Sequence, residues 1–239
     1  MDAAIVSASV QRLVLSVVTS AALLSMATAA HSAPVWGTSA IEYLTGSRDS
    51  SLTGGIDATS AWDNGQFSLD WHVTPLANGT WQYQYTVNVA RKALSHFILE
   101  VTEDSNPFHV LAGSDANIVQ PAQTYTATSD GNSNPLMPNP LYGVKFDFGG
   151  TSSTYTIVTD RAPVWGMFYA KDGKDGGTNV VAWANALNAA NYKTSESLTI
   201  NDFIVRPDGM TVVPLPAAAW LLGAGLVGLV AAARRRQTR

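Results

Sequence analysis

The sequence contains no cysteine and few charged residues. Of its 239 residues only 13% are charged, while 46% are hydrophobic. The absence of cysteine excludes disulfide bonds, thiol nucleophiles and thiolate metal sites. Lys and Arg number 14 against 18 for Asp and Glu, which gives a net charge of -4. Because no excess of positive charge is available to neutralise phosphates, we expect no nucleic-acid partner. The hydrophobic fraction is large enough for one sizeable core or two small ones.

Recognisable catalytic and metal-binding motifs are also missing. The sequence has no GxSxG nucleophile elbow, no phosphate-binding P-loop and no HExxH zinc motif. Its four histidines, His31, His72, His96 and His109, lack the spacing of metal ligands. We therefore expect structural histidines and no cofactor.

The N-terminus has the three-part order of a secretory signal peptide. Arg12 precedes the apolar run Leu13–Leu24, which is followed by Ala27-Thr28-Ala29. This order predicts a signal peptide over residues 1–29, cleaved after Ala29. The alternatives are an N-terminal membrane anchor or a buried helix. The run is shorter than the roughly 20 apolar residues that span a bilayer, which disfavours the anchor.

The C-terminus carries a second apolar segment. Residues 217–233 contain no charge and would form a helix of roughly 25 Å, close to the thickness of the hydrocarbon core. Arg234, Arg235 and Arg236 follow directly. By the positive-inside rule, these arginines predict a transmembrane helix over 217–233 and a cytoplasmic tail over 234–239. The chain between the two apolar segments would then lie outside the inner membrane.

A short motif precedes this segment: Val213, Pro214, Leu215 and Pro216. The motif, the small Gly-rich apolar helix and the arginine cluster together resemble the PEP-CTERM sorting signal of exported bacterial proteins processed by exosortases. That signal usually has Glu at the position of Leu215. A leucine at this position is typical of its VPLP variant. The resemblance implies an exosortase-like partner, a transient membrane anchor, and a final location at the cell surface or in the matrix of a bacterium that makes exopolysaccharide and biofilm. An ordinary single-span anchor is the alternative.

Residues 35–208 form the predicted domain, and 209–216 a stalk with the sorting motif. Apolar and polar residues alternate over 67–73 and 81–89, which predicts two half-buried strands joined through Asn78-Gly79 as a tight hairpin turn. Turn-forming residues separate the further predicted strands, so we expect an all-β antiparallel β-sandwich, with a jelly roll as the alternative. These strands are 95–101, 141–148, 154–159, 164–169, 179–183 and 198–205, and a short helix is predicted over 183–192.

Two acidic stretches are candidates for chemistry. Glu100, Glu103 and Asp104 are most simply a solvated strand end, although a glycoside hydrolase would need two carboxylates facing each other across a cleft. Residues 172–177 offer oxygen ligands to calcium, but Lys174 lies among them and the EF-hand spacing is absent. A Gly-rich hairpin turn is therefore the better prediction for that stretch.

Tryptophan is the remaining unusual feature. Trp62 precedes a turn, and an exposed indole there would stack on a sugar ring while Asp63 or Asn64 bound its hydroxyls. Core packing is the simpler prediction for Trp62. We accordingly expect an exported, non-catalytic protein that acts with exopolysaccharide; the alternatives are a carbohydrate-active hydrolase or a carbohydrate-binding module. The domain's tryptophans are Trp36, Trp62, Trp71, Trp81, Trp165 and Trp183.

Overall fold

The computed structural model describes residues 33–104, 108–129, 133–147 and 149–211. The predicted signal peptide (1–29), the motif Val213–Pro216, the apolar segment 217–233 and Arg234–Arg236 all lie outside the described residues. The fold described below is therefore that of the domain between the two apolar segments.

Nearly all regular structure in the described residues is β-strand. Short 3₁₀ helices occur at Ser60–Trp62, Asn185–Asn188 and Ile200–Asp202. The strands are β1 (Thr45–Asp49), β2 (Ile56–Ala58), β3 (Phe67–Pro75), β4 (Trp81–Val89), β5 (His96–Glu100), β6 (Ile118–Tyr125), β7 (Leu141–Asp147), β8 (Ser152–Thr159), β9 (Arg161–Gly166), β10 (Phe168–Asp175), β11 (Thr178–Ala184) and β12 (Ile204–Thr211).

These strands form three antiparallel sheets. The first has the order β1-β3-β4-β8, the second β2-β11-β10-β5-β7-β6, and the third pairs β12 with β9. The paired strands within each sheet are antiparallel. The prediction of an all-β antiparallel fold is confirmed.

Aromatic rings from the two larger sheets pack together in the core. Phe97 of the six-stranded sheet is fully buried and contacts Tyr85 and Tyr155 of the four-stranded sheet, with ring centroids 6.0 and 5.5 Å apart. A second contact across the sheets joins Phe67 and Phe168 at 5.8 Å. Each large ring buries apolar area that the alternating strands direct inward.

The predicted hairpin is present, but its turn is longer than expected. β3 and β4 pair in register from Phe67 with Val89 to Pro75 with Trp81. Only Gly79 of the Asn78-Gly79 pair has a positive φ, of 80°. Asn78 acts through its side chain, whose oxygen accepts a hydrogen bond from the backbone N–H of Thr80 at 3.2 Å. The predicted tight turn at Asn78-Gly79 was therefore wrong in type.

A tight two-residue turn occurs instead in the hairpin of β10 and β11. Asp175 pairs with Thr178, and the two glycines between them have φ of 56° and 88°. A two-residue type I′ turn, whose twist matches that of the flanking strands, requires a positive φ at both central residues. Glycine adopts a positive φ without strain. The hairpin turn predicted for residues 172–177 is confirmed.

Other expected elements differ in detail. The stretch 164–169 is two strands that meet at Met167, and 198–205 is a 3₁₀ helix followed by β12. β12 extends to Thr211, so residues 209–211, assigned to the stalk from the sequence, belong to a strand. The predicted helix over 183–192 is reduced to the 3₁₀ turn Asn185–Asn188. Strands β1, β2 and β6 were not predicted.

Candidate functional site

The structure does not support Trp62 as a sugar-stacking platform. Its side chain is 0% exposed and packs against Phe67, with ring centroids 5.3 Å apart. Its indole N–H donates to the carbonyls of Arg91 and Lys92, at 3.1 and 3.0 Å, which holds the ring inside. The hypothesis of an exposed indole here was wrong, and the core alternative is confirmed.

Asp63 and Asn64, predicted to accompany that indole, lie on the surface. They form a turn in which the Asp63 carboxylate accepts from the Asn64 backbone N–H at 2.7 Å. Asn64 has a φ of 55°, and the exposed turn presents no aromatic ring from Trp62. Asp63 and Asn64 therefore have no exposed Trp62 ring beside them on which a sugar could stack.

The candidate site is instead a cleft of about 560 Å³ at the end of β5. This size is within the range of small-ligand sites. Its walls come from the segment before β1 that contains Trp36, the chain after β5, strands β6 and β7, and the loop over residues 190–194. Its aromatic, amide, hydroxyl and charged side chains include Trp36, Tyr142, Tyr192, Asn139, Asn191, Thr102, Thr124, Thr194, Glu100, Glu103 and Lys193.

Glu100 forms the buried wall of this cleft. It is 3% exposed, and both of its carboxylate oxygens accept hydrogen bonds. The indole N–H of Trp36 donates to Oε1 at 2.9 Å, and the backbone N–H of Met167 donates to Oε2 at 2.8 Å. Burial raises the pKa of Glu100, while the neighbouring Arg206 and these two donors favour the charged form. The prediction that Glu100 lies at a solvated strand end was wrong.

Arg206 supplies the positive charge opposite Glu100. Its guanidinium is 0% exposed, with Nε 3.4 Å from Glu100 Oε2, and its Nη1 donates to Thr102 Oγ1 at 2.9 Å. The side chain passes over Gly166, where an added Cβ would lie 2.1 Å from Arg206 Nε. A glycine is therefore needed at 166 for this ion pair to form.

The break between β9 and β10 serves the same ion pair. At Met167 the backbone N–H donates to the Glu100 side chain, while the Met167 carbonyl accepts from the Glu100 backbone N–H at 3.0 Å. If the strand were continuous, the Met167 N–H would donate to the backbone of a neighbouring strand instead. The interruption that divides the predicted strand 164–169 therefore provides one of the donors to the buried carboxylate.

The three clustered carboxylates have different environments. Glu103 is exposed and lines the same cleft as Glu100. Asp104 lies against Arg161, with its Oδ2 3.2 Å from Nη1. Glu100 and Glu103 thus share a cleft, but the oxygens of Glu100 are already occupied by Trp36, Met167 and Arg206.

Trp36 is held in the cleft by charged and aromatic neighbours. The guanidinium carbon of Arg206 lies 5.5 Å from its ring centroid, and the ammonium of Lys193 lies 4.9 Å from it. Tyr192 meets the ring edge-on at 6.0 Å. Both cations are within the range of cation–π attraction. The indole is therefore half-buried and fixed in orientation before any ligand binds.

The histidines take separate positions. His72 is exposed in β3, within hydrogen-bonding distance of Thr45 Oγ1 at 3.0 Å, and His109 is exposed in a loop. His96 is buried in β5, and its pKa is lowered to about 4, chiefly by burial and then by Lys171 and Lys145. Among the residues described, no three His, Cys, Asp or Glu side chains form a metal-binding group.

Sequence reasoning missed Trp36, Arg206 and Lys193. Trp36 lies in a non-periodic segment, and its partner Glu100 is 64 positions away along the chain. Arg206 sits in a strand where a charged residue ordinarily indicates the solvent face. A buried charge is normally paired, so an arginine directly after the apolar residues Ile204 and Val205 was the one available signal.

Comparison with known proteins returned no match to a protein-family model, a curated protein or a solved structure. Within the described part of the chain, no helix is long and apolar enough to cross a membrane.

We expect the Glu100–Arg206 pair to be strongly coupled in stability. Arg206→Met leaves a carboxylate buried without its cation, which should destabilise the domain by about 3–5 kcal/mol. Adding Glu100→Gln removes the uncompensated charge and should recover at least half of that loss. Urea unfolding of the wild-type, both single variants and the double variant measures this. Additive losses in the double variant would contradict the buried pair.

Proposed function

We propose that this protein is exported, sorted by its C-terminal segment to the cell surface or extracellular matrix, and binds extracellular polysaccharide there without cleaving it. The signal-peptide pattern of residues 1–29 and the resemblance of residues 213–236 to a PEP-CTERM signal support the route. An exosortase-like enzyme is the proposed processing partner. For the domain we propose a β-sandwich, on the basis of the aromatic contacts between the two larger sheets.

The polysaccharide role is supported by one observation in particular, the composition of the cleft. Trp36, Tyr142 and Tyr192 offer ring faces or edges, and Asn191 and Thr194 offer exposed polar groups beside them. Sugars present both apolar C–H faces and hydroxyls, and such a mixed lining matches both. Burial raises the pKa of Tyr192 to about 12, so its phenol is a neutral hydrogen-bonding group at physiological pH.

The state of Glu100 favours binding over hydrolysis. A glycoside hydrolase needs a free carboxylic acid and a second carboxylate on opposite sides of the scissile bond. Glu103 is exposed in the cleft, but Glu100 accepts from two N–H donors and faces Arg206. Those contacts leave no oxygen of Glu100 directed at a ligand as a proton donor. The hydrolase remains the second candidate because both carboxylates line one cleft.

Sorting is tested by the mass of the mature protein. If the tail is processed as proposed, the surface-exposed form should begin after Ala29, end near Pro214–Pro216 and lack Arg234–Arg236. Intact-mass spectrometry of that form gives both ends at once. Recovery of chains that still carry Arg239 in the inner membrane would instead favour a plain anchor.

Binding is tested with the extracellular polysaccharide of the producing organism. The purified protein should co-sediment with it and release no reducing ends. Tyr142→Ala should weaken binding about tenfold or more, because stacking of one base on an aromatic side chain contributes about 1–3 kcal/mol in single-stranded nucleic-acid complexes and we expect a sugar ring to gain at the lower end of that range. Trp81→Ala is the matched control, since it removes another half-buried aromatic ring that does not line the cleft.

The outcomes separate the candidate functions. Co-sedimentation that Tyr142→Ala weakens and Trp81→Ala leaves unchanged supports the proposal. Reducing-end release that Glu103→Gln abolishes would establish the hydrolase in its place. Absence of both binding and release would contradict any polysaccharide role for the cleft.

A further inference from the structure

Lys193 places a positive charge over the rings of Trp36 and Tyr192, which form the aromatic floor of the cleft. Its ammonium is 4.9 Å from the ring centroid of Trp36 and 5.7 Å from that of Tyr192. The side chain is exposed. Among the described residues, no carboxylate oxygen lies within 4.0 Å of this ammonium.

The negative charge closest to these rings is largely balanced by Arg206. Glu100 is paired with Arg206 inside the wall, which weakens its attraction for the Lys193 ammonium without removing it. Glu103 is the other carboxylate of the cleft, and it is exposed to solvent, which weakens its field but leaves it able to repel a nearby anion. Among the described residues, Lys193 is therefore a cation at the rings that forms no close ion pair with a carboxylate.

A sugar ring that stacks on Trp36 must move the Lys193 ammonium away from the ring face. Displacement costs the cation–π attraction between the ammonium and the ring. A neutral sugar offers only hydroxyls in exchange. A sugar that carries a carboxylate offers a charge-assisted hydrogen bond to the displaced ammonium, and such bonds are roughly twice as strong as neutral ones.

We propose that the cleft selects acidic polysaccharide, with a uronate ring stacked on Trp36 and its carboxylate bound by Lys193. This inference rests on the proposed polysaccharide role and assigns the chemical class of the ligand. Glu103 limits the charge density that the cleft accepts, because a second carboxylate directed toward it would be repelled. A glycan with isolated or suitably spaced carboxylates therefore fits the cleft best.

The test uses pairs of probes that differ in charge and in one methyl group per sugar. Oligogalacturonate and oligomannuronate are compared with their fully methyl-esterified forms by isothermal titration against the full-length protein at low salt. We expect at least one acid to bind about fivefold tighter than its ester, because charge assistance adds about 1 kcal/mol to a hydrogen bond. Raising the ionic strength should reduce this ratio.

Variants at neighbouring positions assign the preference to one side chain. Lys193→Gln should bring the acid-to-ester ratio close to one, and Lys193→Arg should restore it. Glu103→Gln should increase affinity for the acid and leave the ester unchanged. Lys174→Gln is the control, since it removes the charge of another exposed lysine that does not line the cleft and should leave the ratio as in the wild-type protein.

Each result decides the inference separately from the proposed function. Equal affinity for acid and ester overturns the acidic selection while polysaccharide binding stands. A ratio that survives Lys193→Gln overturns the role of Lys193. Failure of both acids to bind overturns the inference, and co-sedimentation with the organism's own polysaccharide then shows whether the proposed function fails as well.

Discussion

The buried ion pair between Glu100 and Arg206 is the constraint on which the site depends. Removing both charges from water carries a large penalty, which their attraction offsets only if the remaining polar atoms are also bonded. Here Trp36 and Met167 donate to Glu100, and Nη1 of Arg206 donates to Thr102 and to the Pro207 carbonyl, while Nε and Nη2 of Arg206 have no hydrogen-bond partner among the described residues. The interruption between β9 and β10 and the orientation of the indole each provide one donor to Glu100.

This arrangement joins both ends of the domain. The N-terminal segment bonds to one edge of β9, through Gly37 N–H to the Trp165 carbonyl at 2.8 Å, while β12 pairs with β9 along its other edge. Trp36 enters from the first segment and Arg206 from the last strand. The cleft is therefore complete only when both ends of the domain are in place.

The same contacts bear directly on the binding role proposed for the cleft. A ligand site needs side chains that hold their orientation before the ligand arrives, since ordering them on binding reduces affinity. Trp36 is fixed by its bond to Glu100 and by the two nearby cations. In the proposed binding role, the contacts that orient Trp36 also engage both carboxylate oxygens of Glu100.

Local pattern predicted the parts of this fold that depend on neighbours in sequence. The alternation in β3 and β4 identified that hairpin because each strand buries one face. β1, with the sequence Thr45 to Asp49, contains no large apolar residue, and β6 contains Pro121, so neither carries that pattern. Pairing of these strands is set by tertiary contacts, which alternation does not record.

The site was beyond local pattern for the same reason. Glu100 was expected in solvent because no cation lies near it in the sequence. Its partner Arg206 lies in the last strand of the domain. Trp62 was a candidate sugar contact because it precedes a turn, yet two backbone carbonyls from residues 91 and 92 hold it in the core. In each case a contact distant in sequence decides whether a polar or aromatic side chain faces water.

The central claim is that Trp36 is the preformed platform for a glycan. The NMR resonance of its indole N–H tests this most directly. This N–H donates a hydrogen bond to Glu100, and the indole ring lines the cleft. In a titration with soluble fragments of the organism's exopolysaccharide followed by ¹H–¹⁵N NMR, we expect the Trp36 indole signal to shift progressively and saturably while those of Trp62 and Trp81 stay fixed. An unmoved Trp36 signal, or equal shifts of all three indoles, would contradict the account.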